Sequence, residues 1–316
     1  MNGETSPSVC IVVPNYNGRN LLERFLPALA ATDYEPLELV VVDNASKDDS
    51  VNWLRLRWPQ VTVLEQSRNL FWAGGNNVGI LYAKQRGHRF ILFANNDIEP
   101  HPFWVREAVK FSMTHSEYGM VGFRLFNRDS ERQAFETAGR ELSEVKWHEV
   151  ADVTGCSLFC PMELFEAVGV FDERYELYRD EADFERRAFE AGWRAAELNV
   201  PVWHLNEATA MHLGLRLSYL QMRNDVRFHL KLGGIRAGLR AMRSLLILTC
   251  NPRISLKSGH VFWMRRYQPA NWIVNAVIAL SAIMWNLAHL METRRVGNAD
   301  RQRIARRCSN QESRHC

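Results

Sequence analysis

Short apolar runs rich in β-branched residues alternate with segments of helical spacing through the first hundred residues. Runs over 9–13, 37–42, 61–64 and 90–94 read as strands, and the stretches over 20–31, 46–56 and 75–85 read as helices. Continuous apolar strands separated by helices predict a mostly parallel sheet covered on both faces. Further on, 104–115 and 163–168 have helical spacing, and 119–122, 153–159 and 199–202 look like strands. A helix over 183–192 is expected to stop at Gly192.

In such sheets ligands bind beyond the carboxyl ends of the strands. Polar clusters stand at all four of the first such ends: Pro14-Asn15-Tyr16-Asn17, Asp43-Asn44-Ala45-Ser46, the stretch from Arg68 and Asn69 to Asn77, and Asn95-Asn96-Asp97. Any one of them could be a turn or a helix cap. Four in register are expected to converge on one rim.

Composition changes this picture only behind residue 230. The net charge of +3 hides an asymmetry: residues 1–230 carry 24 Lys and Arg against 33 Asp and Glu, and residues 231–316 carry 15 against 3. This predicts a first domain over 1–230 and a basic extension over 231–316. The six cysteines are scattered without a CxxC pair, so reduced thiols are expected rather than a disulfide framework or a zinc site. No basic segment precedes a long apolar one at the N-terminus, and no signal peptide is expected.

Taken in order, these clusters resemble the family 2 glycosyltransferases of GT-A fold, and within them the rhamnosyltransferase-like bacterial enzymes of surface-polysaccharide synthesis. The resemblance is carried by 40–46 (Val-Val-Val-Asp-Asn-Ala-Ser), 69–79, Asn95-Asn96-Asp97, and the stretch from Gly169 to Asp183, and it spans about residues 8–230. It implies an inverting transferase that moves rhamnose or another hexose from a nucleotide diphosphate donor, a dTDP- or UDP-sugar, onto a saccharide or lipid-linked acceptor. The implied fold is α/β of GT-A type, Rossmann-like, with a C-terminal helical extension.

The implied chemistry assigns residues. A divalent cation, Mg²⁺ or Mn²⁺, would neutralise the leaving diphosphate at oxygen ligands. The family's DxD-like motif reads Asn95-Asn96-Asp97 here, so Asp97 supplies the only carboxylate, and His204 is the second expected ligand. Asp43 is expected to face the base or ribose, with Pro14 and Asn17 lining the same end. Gly74 and Gly75 are expected to form a tight turn that lets backbone approach the donor, with Asn69, Asn76 and Asn96 as further donor contacts and Arg223 on diphosphate or acceptor. Relatives usually carry Glu-Asp where this chain has Asp180-Glu181; Glu181 therefore takes the general-base position, with Asp180 as the alternative, and Asp183 is expected to cap the next helix.

Residues 267–291 contain no Asp, Glu, Lys or Arg. At about 100° per residue, Asn271, Asn275, Asn286 and His289 cluster on one side of a helix there, and Ile273, Val277, Leu280, Met284, Leu287 and Met291 on the other. Arg265 and Arg266 precede it, and Arg294 and Arg295 follow. An in-plane membrane helix at the inner face of the cell membrane, a spanning helix and a core helix are all compatible with this pattern. Two rival readings stand beside the transferase: a nucleotide-sugar-binding relative without transfer activity, and a nucleic-acid binder using the basic tail. The tail lacks the interleaved aromatics of single-strand binders, and no nucleic-acid partner is expected.

Overall fold

The computed structural model describes residues 6–205, 214–250 and 272–312. They divide into two compact units, the first Met1–Glu173 with Phe184–Glu207, the second Arg174–Asp183 with Ala208–Cys316. The division expected at 230/231 instead falls inside a helix, at a lysine with 1% exposure.

The first unit is built on nine strands: β1 (Val9–Asn15), β2 (Leu37–Asp43), β3 (Thr62–Glu65), β4 (Phe90–Ala94), β5 (Ile98–Pro100), β6 (Tyr118–Phe126), β7 (Trp147–Val150), β8 (Ser157–Pro161) and β9 (Arg194–His204). They form one sheet in the order β3-β2-β1-β4-β8-β6-β9-β5, with β7 also paired to β9. Strands β1 to β4 run parallel, as do β6 and β9; β8 is antiparallel to both its neighbours, and β5 and β7 are antiparallel to β9. The sheet is therefore mixed around a parallel half. Strands β5 and β7 were not expected: three or four residues, flanked by polar positions, carry too little periodicity to read.

The helices are α1 (Arg19–Ala30), α2 (Ser50–Arg57), α3 (Phe71–Gln85), α4 (Trp104–Thr114), α5 (Arg132–Arg140), α6 (Met162–Val168) and α7 (Asp180–Glu190). Residues Asp180–Asp183 of α7 belong to the second unit. Alternation along β1 shows how the layers form. Val9, Ile11 and Val13 join a core with Leu22, Leu26 and Leu29 of α1 and Trp104 of α4. The intervening Val12 and Pro14 meet α3, so closely that a Cβ on Gly79 would lie 2.3 Å from Val12 Cγ1. Both faces of β1 are thus covered, which is why its sequence reads as one apolar run.

In the second unit α8 (Leu215–Cys250) breaks at Gly234, where φ 73° and ψ −171° suit only glycine. Beyond it come α9 (Trp272–Ala288) and α10 (Leu290–Glu312). Met222, Val226 and Leu230 before the break join Met242 and Leu245 after it and Ile278, Ala279 and Ala282 of α9 in one core. A buried charge cluster lies beside it: Lys231 Nζ stands 2.7 Å from Asp183 and 3.2 Å from Asp300, and the Tyr175 hydroxyl donates to Asp183. Asp183 is therefore part of an ion-pair core and not the helix cap expected of it. Among the described residues no single helix is long and apolar enough to cross a membrane; only α9 with 290–307, bent by 64°, reaches that length and composition together. Arg265, Arg266 and Asn271 lie outside the described residues.

Burial pushes the Glu185 carboxyl up to about 7, with help from nearby Asp152, against a hydrogen bond from the Val153 N–H at 2.7 Å. A raised acid binds its proton more tightly folded than unfolded, so the folded state loses stability as pH climbs from the unfolded value of 4.5 towards neutrality. Glu185→Gln is expected to remove this loss, on the order of a few kcal/mol. Melting temperatures of both proteins from pH 5 to pH 8 would show the wild type falling relative to the variant; parallel curves would contradict the assignment.

Candidate active site

The parallel half of the sheet brings its strand ends to one edge. Asn15 pairs with Asp43 in register, and β4 ends at Ala94 immediately before Asn95-Asn96-Asp97. The amide of Asn15, 1% exposed, joins them. Its Nδ2 donates to Asp43 Oδ2 at 3.1 Å and approaches Ser46 Oγ at 3.4 Å, while its Oδ1 accepts from Asn96 Nδ2 at 2.9 Å. One side chain thus ties β1, β2 and the loop after β4. Gly18 closes over this junction, and a Cβ there would lie 2.4 Å from both Asn15 Oδ1 and Asn96 Nδ2. Asn15 and Gly18 were not among the expected site residues. An asparagine at a strand end followed three residues later by glycine is a common turn sequence, and only the register reveals the hub.

The loops around it hold left-handed backbone at Asn17, Ala45 and Phe71, with φ of 51°, 61° and 58°. Such conformations cost about 1–3 kcal/mol each and persist where the surroundings fix them. Here the fixing bonds are visible. Asn17 N–H donates to Ser46 Oγ at 2.8 Å and its Oδ1 accepts from Lys47 N at 2.7 Å. Asp43 Oδ1 accepts from Ser46 N at 2.9 Å. Asn69 Oδ1 accepts from Phe71 N at 2.7 Å, and Asn44 Nδ2 donates to the Phe71 carbonyl at 3.2 Å. Asp43 uses one acceptance on each oxygen, and a carboxylate has room for more.

The glycine pair does not form the expected turn. Helix α3 begins at Phe71, so Gly74 and Gly75 lie in its first turns. A Cβ on Gly74 would sit 2.7 Å from Leu70 Cβ, and one on Gly75 would lie 3.0 Å from Asn44 Nδ2 and 3.3 Å from Pro14 Cβ. The glycines let the helix start approach Pro14 and Asn44 directly. Next to them both polar atoms of the Asn76 side chain are buried with no hydrogen-bond partner among the described residues. Asn77 is used structurally, bonding the Phe171 backbone in both directions and Glu173. Arg68 is exposed.

The second corner of the rim holds Asp97 and His204. The β5–β9 pairing sets Ile98 opposite His204, and the Leu205 N–H donates to the Asp97 carbonyl at 3.0 Å. This register brings His204 Nε2 to 3.2 Å from Asp97 Oδ1, with side-chain exposures of 12% and 8%. Burial works to lower the imidazole pKa, but bonding to Asp97 and Cys156 outweighs it, and His204 is held up at about 10. Asn95 links the pair onward: its Nδ2 lies 3.4 Å from His204 Nε2, and its Oδ1 accepts from Trp72 Nε1 at 3.3 Å. Among the described residues no three His, Cys, Asp or Glu side chains form a cluster able to hold a metal. One carboxylate and one imidazole fit a hard divalent cation that takes its other ligands from water and substrate oxygens. Binding one there would require His204 to release its proton.

The acidic run lies in the second unit. Asp180 and Glu181 open α7, Asp180 buried and Glu181 half-buried. The loop before them has left-handed Glu176, Tyr178 and Arg179. Arg223 and Asn224 of α8 grip this loop. Arg223 donates to Glu176 Oε1 and the Arg174 carbonyl at 2.7 Å and to the Tyr175 carbonyl at 3.0 Å; Asn224 Nδ2 reaches the Tyr175, Leu177 and Tyr178 carbonyls at 2.6–3.0 Å. Its Nε donates to Asn224 Oδ1, so each nitrogen of Arg223, expected on diphosphate or acceptor, bonds to the loop or to its neighbour. An arginine and an asparagine side by side gave no signal of this, because their acceptors are backbone carbonyls almost fifty residues earlier.

Comparison with known proteins places these features. Over 201 residues the chain is 30% identical to the galactofuranosyltransferase GlfT1 of Mycolicibacterium smegmatis, covering 58% of this chain and 66% of that protein. Over 217 residues it is 24% identical to the N-acetylglucosaminyl-diphospho-decaprenol L-rhamnosyltransferase of Mycobacterium tuberculosis, covering 58% and 71%. The chain spans 57–66% of the length of several such relatives. In structure it matches a mannosyltransferase of Pyrobaculum calidifontis in complex with GDP-Man and Mn²⁺, at TM-score 0.54 and 18% identity, over 91% of this chain and 88% of that one. The fold is that of the GT-A glycosyltransferases. The model of the glycosyl transferase family 2 matches residues 10–168, half of the sequence, and with the strand ends arranged as described, the chain belongs to that family.

Proposed function

We propose that this protein transfers a hexose, rhamnose among the candidates, from a pyrimidine nucleoside diphosphate to an acceptor hydroxyl, with inversion at the anomeric carbon. The observation that carries the proposal is the Asp97–His204 pair, 3.2 Å apart at the sheet's carboxyl rim in a family 2 domain. Asp97 and His204 would hold a divalent cation, Mg²⁺ or Mn²⁺, which when bound supplies Lewis-acid neutralisation of the leaving diphosphate. Asp43, kept rigid by Asn15 and Ser46, retains acceptor capacity for a base or ribose donor group. Pro14, Asn17, Asn69, Asn96, Gly74, Gly75 and Asn76 shape the same end: the glycines admit close approach, and Asn76 brings an amide without a protein partner among the described residues.

In the proposed reaction the acceptor oxygen bonds to the anomeric carbon as the bond from that carbon to the phosphate oxygen breaks. The acceptor proton passes to the Glu181 carboxylate, and the nucleoside diphosphate departs. One displacement inverts the centre. Glu181 is assigned the base role on its place in the acidic run, with Asp180 as the alternative. The decaprenol-linked substrate in one relative's name supports a lipid-linked or saccharide acceptor here, in surface-polysaccharide or glycolipid synthesis. The rival reading, a nucleotide-sugar binder without transfer activity, differs in giving no acceptor-dependent release of nucleoside diphosphate.

Three outcomes test this reading. With UDP- and dTDP-sugars and Mg²⁺ or Mn²⁺, Asp97→Ala is expected to lower nucleoside diphosphate release at least about a hundredfold and to remove metal-dependent thermal stabilisation by donor; unchanged release would overturn the cation role. Glu181→Gln should keep donor stabilisation while transfer falls about a hundredfold or more, and a variant with full turnover removes Glu181 from the chemistry. Arg223→Met should lower kcat with donor affinity unchanged, and Arg223→Lys should restore it only in part, because a lysine cannot span the three acceptors. A fall confined to donor affinity would return Arg223 to the diphosphate.

A further inference from the structure

Helix α9 is amphipathic in the reverse sense to a helix that faces water. Both its asparagines are inside, beside Ile278, Ala279 and Ala282: Asn275 and Asn286 are 7% and 0% exposed, and Asn286 Nδ2 donates to the Arg223 and Ala282 carbonyls at 2.9 Å. Its apolar side is outside. Ile273, Val277, Leu280, Met284 and Leu287 are 52–69% exposed, and Met291 at the start of α10 is 75% exposed. Steps of four and three residues keep Ile273, Val277, Leu280, Met284 and Leu287 on one stripe of α9. Exposed apolar side chains scattered singly are ordinary, but a continuous stripe marks a contact surface.

The charges around the stripe select its occupant. Trp272, 59% exposed, stands at its first end, where an amphipathic ring suits a headgroup layer. Arg294 and Arg295 stand exposed at the other end, and with Arg306 further along they make no ion pair among the described residues. The second half of α8 is also basic on its surface, with Arg236, Arg240 and Arg243 exposed. A second copy of this chain would bring arginine against arginine across a two-fold axis, whereas anionic headgroups complement the arginines at the end of the stripe. We infer that the outer face of α9, with its flanking arginines, docks in the plane of an anionic lipid surface. The inference is independent of the transferase reading, since it concerns a face of the second unit and needs no turnover.

The test is sedimentation of the full chain with vesicles. Binding to phosphatidylcholine vesicles containing phosphatidylglycerol, weak binding to phosphatidylcholine alone, and release by high salt are expected. Leu280→Asp with Met284→Asp should lower the partition coefficient roughly tenfold or more, and Arg294→Glu with Arg295→Glu should remove most of its salt dependence. Both pairs are exposed, and melting temperature and circular dichroism check that each variant folds. No binding by the wild type, equal binding by the aspartate variant, or a dimer in solution that the aspartate variant splits would each overturn the inference. So would retention through an alkaline carbonate wash, which marks a spanning segment.

Discussion

The first unit depends on a hydrogen-bond junction that a parallel sheet makes both possible and necessary. Parallel strands deliver their carboxyl ends, and the loops beyond them, to one edge, where backbone groups no longer have ladder partners. There the Asn15 side-chain amide donates to the Asp43 carboxylate and accepts from the Asn96 side-chain amide, which ties the strand ends together through side chains. Donor and acceptor on one short side chain let a single residue serve two neighbouring strands, which an ionised aspartate could not do. The forbidden Cβ at Gly18 follows from it, since this loop must close tightly around an amide that is already committed; the left-handed turns at Asn17 and Phe71 are held by neighbouring bonds with Ser46, Lys47, Asn69 and Asn44.

The second unit solves a related problem with charge. The loop before α7 leaves several carbonyls off any ladder, and Arg223 and Asn224 satisfy four of them, those of Arg174, Tyr175, Leu177 and Tyr178. Directly behind, Lys231 lies between Asp183 and Asp300 at 1% exposure. A buried ion pair contributes little net stability, but removing one partner strands the other and is costly. The arrangement therefore acts chiefly as a constraint, fixing where α7 begins and with it the acids Asp180 and Glu181.

Much of the first unit was legible in the sequence because its information is local. A run such as Val9–Val13 must be buried on both sides, and a polar cluster after it must lie at a strand end, whatever the rest of the chain does. This was enough to predict the sheet and its carboxyl rim; the family, and the candidate roles of Asp43 and Asp97, came from the resemblance of the motifs at that rim. Short elements such as β5 and β7 escaped, because three or four residues cannot establish a period. The glycine pair at 74–75 was misplaced for another reason. Glycine reads the same whether it is needed for a turn or for close helix packing, and only the neighbours Pro14 and Asn44 distinguish the two.

What the sequence determined by itself, then, was the pattern of burial along each segment and the kind of chemistry available at strand ends. Tertiary structure decided everything that rests on pairing between distant residues. It set Asp97 against His204 through the β5–β9 register, made Asn15 the hub, and turned Arg223 from a free cation into a loop clamp. It also decided which side of α9 faces outward: helical periodicity shows that polar and apolar stripes are opposed, but which of them is buried depends on what α8 presents. Periodicity is written along one segment, whereas a hydrogen bond needs two partners, and the second is known only once the chain has folded.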